Sequence, residues 1–203
     1  MWEIITYSIT GLYIIFTFFV FYKKREKLTI KKMCLIAAFA AIAIVSYYFI
    51  AIPFFWGSEI TFGPIAIMLA GFLLGAPSGI ITGIITFLVC IPKWGIIHPA
   101  QIATEYYFCF TALGLTGLFK TDRKNVTLGV IIVSLISLTG HFLTGVIFYG
   151  QYAPDGMAVW WYSLAYNFLS DTGSILVCYL IIMALPLKTF AKIINKNKKV
   201  KIE

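Results

Sequence analysis

Charge is scarce in this chain. Only 12% of its 203 residues are charged, 61% are hydrophobic and the mean hydropathy is +0.92. That balance excludes an ordinary soluble domain and predicts a polytopic membrane protein forming one integral unit. Cysteine is also sparse: Cys34, Cys90, Cys109 and Cys178 sit in four different apolar segments without CxxC or CxxH spacing. Neither a disulfide framework nor a metal site is indicated, and the four read as small buried hydrophobes. A phosphate loop is missing, since no glycine run leads into Gly-Lys-Ser/Thr and Gly117-Leu118-Phe119-Lys120-Thr121 has the wrong spacing. ATP hydrolysis by that route is excluded. No HExxH or serine-nucleophile motif stands out, so the chain is not expected to be an enzyme or to need a cofactor.

What is present is a series of seven apolar segments, at about residues 2–22, 32–51, 61–76, 79–92, 100–119, 126–149 and 158–186. The third and fourth are short for a bilayer that needs about 20 residues, which predicts tilting or burial against neighbours. The net charge of +8 does not point to nucleic acid, because the basic residues fall in three clusters between apolar segments. Lys23, Lys24, Arg25, Lys27, Lys31 and Lys32 follow the first segment, Lys120, Arg123 and Lys124 follow the fifth, and the rest lie between Lys188 and Lys201. Seven spans with the amino terminus outside put all of the sixteen Lys and Arg residues except Lys93 on the cytoplasmic side. This predicts a multi-pass protein of the cell membrane with a cytoplasmic carboxy terminus. The first segment does not read as a cleaved signal, because Met1-Trp2-Glu3 has no basic n-region.

Against this apolar background the polar residues stand out. Glu105 lies in the fifth segment, and a carboxylate near the centre of a bilayer helix costs about 2.5–3.5 kcal/mol, so it needs a partner. The competing reading is a Glu near the membrane edge that snorkels to water, since Pro99 sets it only about two turns inside the helix. His141 and Tyr149 share one face of segment six, about 12 Å apart along the axis. His141 could equally be a lone imidazole bonded to a carbonyl. Segment seven brings Tyr162 and Asn167 into the same outer half, and Asp171 one turn below, with no obvious partner. One carboxylate, an amide, an imidazole, hydroxyls and aromatic faces suit a small, flat, polar, cationic heterocycle rather than a lipid or a bare ion.

Other stretches read as scaffold. Segment one, with Tyr13, Phe16, Phe18 and Phe19, reads as an anchor rather than part of a site. In segment two, Ala37 and Ala41 at four-residue spacing offer a docking face, either to a partner or within the bundle. Residues 52–60 form an apolar outer loop in which Trp56 is either a lid or an interfacial belt residue. Gly71, Gly75, Gly79 and Gly83 suggest two closely packed short helices joined by a tight turn at Pro77-Ser78.

These residues resemble the thiamine-specific substrate-binding S component, or ThiT family, of energy-coupling factor (ECF) transporters. The resemblance covers about residues 35–185 and rests on Gln101 with Glu105-Tyr106, on Gly145-Val146-Ile147-Phe148 with Gly150-Gln151-Tyr152, and on Tyr162-Ser163-Leu164-Ala165 with Asn167. It implies an all-α integral membrane fold, a six-helix S-component bundle over residues 31–203 with one extra amino-terminal helix and linker over 1–30. It also implies that Glu105, Tyr106, His141, Tyr162 and Asn167 hold thiamine, with Trp56 as the lid-loop tryptophan and Ala37 and Ala41 as the docking motif. Tyr149 stands where a family member has tryptophan, and a ring expected in the fourth segment is replaced by aliphatics near Ile84, with Trp94 a possible substitute. The implied partners are a coupling transmembrane subunit and two cytoplasmic ATPases. The rival functions are an S component for hydroxymethylpyrimidine or riboflavin, an intramembrane hydrolase using Glu105, His141 and Asp171, and a purely structural membrane protein.

Overall fold

The computed structural model describes residues 1–25, 27–55 and 58–195. The helices are α1 (Trp2–Lys24), α2 (Ile30–Phe49), α3 (Gly63–Leu74), α4 (Ala76–Trp94), α5 (Phe108–Gly114), α6 (Arg123–Phe148), α7 (Val159–Ala184) and α8 (Leu187–Asn195). Two short strands, β1 (Ala51–Pro53) and β2 (Glu59–Thr61), pair antiparallel between α2 and α3. Five helices, α1, α2, α4, α6 and α7, are long and apolar enough to cross a membrane.

Helix boundaries follow local chemistry. The Thr29 side chain accepts from the Lys32 amide and starts α2; Asp122 does the same for the Asn125 amide at the start of α6. The Asn125 side-chain hydrogen bond, more than its amide, holds the half-buried Asp122 carboxyl below its usual pKa. Between α3 and α4 the chain reverses at Gly75, whose φ of 94° favours a residue without Cβ. The turn therefore sits at Gly75, and Pro77-Ser78, expected at the turn, lie in the first turn of α4, where proline costs no hydrogen bond. The fourth segment, expected to be short, runs for 19 residues. The third is short and buried along almost its whole length, with Ile67, Met68 and Ala70 at 0% exposure.

The glycine series has a second neighbour besides the one expected. Cβ atoms at Gly79 and Gly83 would collide with the backbone of Gly114 and Phe110, and one at Gly71 with Thr116 and Gly114. The glycines thus let α3 and α4 press against the fifth segment as well as against each other. That segment is no regular helix: Ile102–Tyr107 form a π-helical turn, α5 follows, and Leu115–Leu118 close it as a 3-10 turn. The stretch 52–60, expected as a loop, contributes residues 52–53 and 59–60 to the β1–β2 pair, which the Ser174 hydroxyl on α7 ties down by accepting the Thr61 amide at 3.0 Å. Segment seven ends at Ala184 and is followed by the amphipathic α8, whose Ile194 carbonyl accepts from Lys31 at 3.2 Å.

Candidate functional site

One cavity of about 630 Å³ lies between α4, the π turn, α6, α7 and the hairpin. The π turn sets its polar centre. A wider turn shifts the register of the residues that follow and is often found at functional sites; here it spans Glu105 and Tyr106.

Glu105 is 19% exposed and has protein partners on both oxygens, so it does not snorkel. Oε2 accepts from Gln101 Nε2 at 2.5 Å and from the Tyr149 hydroxyl at 3.5 Å; Oε1 faces His141 Nδ1 at 3.8 Å. Gln101 also bonds to the Tyr149 hydroxyl and accepts the Ile97 amide at 2.9 Å, so the amide bridges the helix entry and the carboxylate. His141 and Tyr149, two turns apart, thus reach different oxygens of one carboxylate.

Asn167 faces the same cavity from α7. Its Nδ2 donates to the carbonyls of Ser163 at 2.8 Å and His141 at 3.4 Å. The Ser163 hydroxyl crosses to α6 and donates to the Phe142 carbonyl at 2.8 Å. The two helices come this close because position 145 is glycine: a Cβ there would strike Ser163 and Asn167.

Tyr106 donates its hydroxyl to the Gly95 carbonyl and presents its ring. The ring stacks on Trp94, with centroids 6.3 Å apart, and Phe87 stacks on it at 6.5 Å. Tyr162 also lines the cavity, its ring 5.9 Å from that of Tyr166. Six residues expected from sequence therefore line one space: Glu105, Tyr106, His141, Tyr149, Tyr162 and Asn167. Trp56 lies outside the described residues. Ala37 and Ala41 are away from the cavity and exposed on the outer face of α2.

Sequence reading missed several wall residues. Lys93 donates to Glu59 at 2.7 Å and to the Tyr47 carbonyl at 2.6 Å, with its ammonium 5.6 Å from the centre of the Trp94 ring. The pair joins the hairpin to the end of α4. Lys93 was already the one cation outside the three clusters, which was a usable signal. Trp94, weighed from sequence as a substitute ring, is a cavity wall, and Asp171, a buried acid whose partner was not obvious from sequence, lines the same space. Among the described residues no group of His, Cys, Asp and Glu could hold a metal ion.

A multi-pass helical bundle with an acidic, aromatic-walled cavity defines a membrane protein built around a small-molecule site. Comparison narrows the class. The model of the thiamine transporter protein family matches residues 33–194, and the chain belongs to that family. It is 32% identical over 177 residues to the thiamine transporter ThiT of Bacillus subtilis (strain 168), covering 80% of this chain and 91% of that protein. It is 35% identical over 127 residues to ThiT of Lacticaseibacillus paracasei (strain ATCC 334), covering 54% of this chain and 63% of that one. In structure it is similar to ThiT from Listeria monocytogenes, with a TM-score of 0.70 at 25% identity over 80% of this chain and 96% of the other. The fold alone is shared with the S component of a bacterial ECF transporter, with a TM-score of 0.56 at 16% identity over 83% and 98% of the two chains. The family match begins at residue 33, so α1 lies outside it.

Proposed function

We propose that this chain is the substrate-binding S component of an ECF-type transporter and that it binds thiamine in the cavity around Glu105. The observation that carries the reading is the state of that carboxylate. Glu105 is held by an amide, a phenol and an imidazole, with no Lys or Arg among its partners in the described residues, and the cation on the cavity wall, Lys93, is engaged with Glu59. A carboxylate so placed favours a ligand that brings positive charge. Asn167 commits its amide hydrogens to helix carbonyls, which leaves Oδ1 to accept from a ligand. The rings of Trp94, Tyr149 and Tyr162, which line the cavity, offer faces for a flat cation. Thiamine, with its aminopyrimidine and cationic thiazolium, matches acceptors and aromatic walls together. Riboflavin matches the walls without the charge.

On this reading Glu105, His141, Tyr149, Tyr162 and Asn167 contact the vitamin, Tyr106 supports the aromatic wall, and Trp56 closes over it. Residues 31–203 form the binding unit, and residues 1–30 add a helix and a basic linker. The amino terminus lies outside and the carboxy terminus in the cytoplasm, placing the hairpin end of the cavity outward. Tags at residue 1 and after Glu203 test this: protease added to intact cells should remove the first and spare the second. Transport is powered by a coupling transmembrane subunit and two cytoplasmic ATPases, with Ala37 and Ala41 facing the coupling subunit.

The test of the site is calorimetry on the purified protein with thiamine and riboflavin. Thiamine should bind and quench tryptophan fluorescence, and Glu105→Gln should weaken it by about 3 kcal/mol, roughly a hundredfold, because a charge-assisted contact becomes neutral. Riboflavin binding without thiamine binding would overturn the assignment, and an unchanged Kd in Glu105→Gln would remove this carboxylate from the site.

A further inference from the structure

Two buried oxygens in the cavity wall have no hydrogen-bond partner among the described residues: Asp171 Oδ2 on α7 and Ser134 Oγ on α6. Both residues line the space that contains Glu105, and Ser134 is only 4% exposed. They come from neighbouring helices that run in opposite directions. Ser134 precedes His141 by two turns of α6, about 10 Å along the axis, and Asp171 follows Asn167 by one turn of α7. Because the helices are antiparallel, both steps lead the same way, from the Glu105 end toward the deeper end of the cavity.

The polar groups around Asp171 on its own helix are already committed. Ser174 accepts the Thr61 amide at 3.0 Å and donates to the Ser170 carbonyl at 3.3 Å, and Asn167 donates to the carbonyls of Ser163 and His141. A carboxylate oxygen withdrawn from water without a donor is among the costliest arrangements in a protein interior, and a hydroxyl in the same state on the wall of the same cavity adds to that cost. Glu105, in the same cavity, has a partner on each oxygen; Asp171 leaves one oxygen open. A donor arriving with a ligand at this wall would satisfy the unpartnered acceptor.

We propose that Asp171 and Ser134 form a second, inner polar subsite, which receives a hydrogen-bond-donating amine or hydroxyl at the end of the ligand opposite to the one held by Glu105. This rests on the thiamine reading. Thiamine carries its amine on the pyrimidine at one end and its hydroxyl on the thiazolium side chain at the other. A molecule spanning both subsites places one donor at each carboxylate and its cationic ring between them. A cavity of about 630 Å³ is within the usual range for such ligands. Asp171 and Ser134 would then set specificity for the far end of the vitamin, a role separate from the charge recognition assigned to Glu105.

The experiment is calorimetric titration of the full-length wild type, Asp171→Asn and Ser134→Ala with thiamine and two analogues. One analogue has the amine replaced by a carbonyl oxygen, and the other has the terminal hydroxyl replaced by hydrogen. Asp171→Asn keeps the shape of the side chain, and Ser134→Ala tests the subsite from the other helix should the first variant fold poorly. The expected result is an approximately tenfold or greater loss of thiamine affinity in Asp171→Asn and about threefold in Ser134→Ala. Both losses should vanish against the one analogue that lacks the donor taken by the inner subsite. Thiamine binding by both variants within twofold of a tight wild type would mean that the subsite holds water only, and the proposal falls. An equal loss for thiamine and both analogues also overturns it, because the effect would then pass through the fold. A wild type that binds no thiamine overturns the reading on which the proposal rests.

Discussion

Helices α1 and α2 have nearly the same bulk properties and opposite designs. Their mean hydropathies are 2.0 and 1.8, and each buries 28% of its most apolar window. Both bury a narrow stripe with three- and four-residue steps. In α1 the stripe is Thr6, Thr10, Tyr13, Thr17 and Val20; in α2 it is Ile36, Ala40, Ala43, Ser46 and Tyr47. The outward faces differ more. That of α1 carries Leu12, Ile15, Phe16, Phe18 and Phe19, bulky chains suited to fluid acyl tails, whereas that of α2 carries Cys34, Ala37, Ala38 and Ala41 along one side. Small residues let a second backbone approach, and nothing polar is left stranded when it departs. The comparison separates a helix turned polar-side-in toward its own bundle from one that carries a strip of small residues along one outer side.

The largest expected effect breaks this contrast directly. Replacing Ala37 and Ala41 with Trp should abolish uptake in cells while leaving thiamine binding by the isolated protein within a few-fold of wild type. Replacing Leu12 and Phe16 with Trp on α1 should change neither. If the alanine variant instead loses binding while still assembling, the stripe packs inward, and the glycine-rich region from Gly71 to Gly83 becomes the face to examine.

A second experiment sharpens the other half of the comparison. The sequence reads α1 as an anchor, but its buried stripe touches the segment that carries Glu105. Tyr13 stacks on Phe108 with centroids 4.0 Å apart, and Tyr13 and Thr17 bond to Thr111 and Tyr107. Removing residues 1–25 should therefore weaken thiamine binding by on the order of tenfold, through loosening of the π turn rather than loss of a ligand contact. An unchanged Kd would restore the reading of α1 as a passive anchor.

Much of the architecture was legible because the bilayer imposes a strong length and charge code on sequence. The seven segments appear within a few residues of their expected bounds, and six expected site residues meet in one cavity. What escaped depends on tertiary packing. No local pattern in Ile102–Tyr107 announces a π turn, and the glycine series could not reveal that its neighbours include the fifth segment. The Lys93–Glu59 pair joins residues far apart in sequence across a hairpin that reads as a loop. The threonines of α1 were hidden by their own versatility. In an apolar helix a threonine can satisfy itself on its own backbone, so its presence does not signal an interface.

The smallest effect lies at that interface, and its sign pattern can be derived. The Thr111 hydroxyl donates to the Tyr107 carbonyl at 2.7 Å, so in its 2.9 Å contact with Tyr13 it can only accept, and the phenol must donate. The same holds one turn along: Thr17 donates to the Ile14 carbonyl, so the Tyr107 phenol donates to Thr17 at 2.7 Å. Tyr13→Phe therefore removes a donor and leaves only a spare lone pair on Thr111, which should cost about 1 kcal/mol. Thr111→Val leaves the Tyr13 O–H as an unsatisfied buried donor and should cost more, about 1–3 kcal/mol. The double variant Tyr13→Phe with Thr111→Val removes both ends and should recover part of the loss of Thr111→Val alone. Thermal unfolding in detergent, followed by tryptophan fluorescence, reads this order. Equal shifts for the two single variants, adding in the double, would mean that the helices are held by shape alone and that the hydroxyl seam of α1 contributes nothing directional.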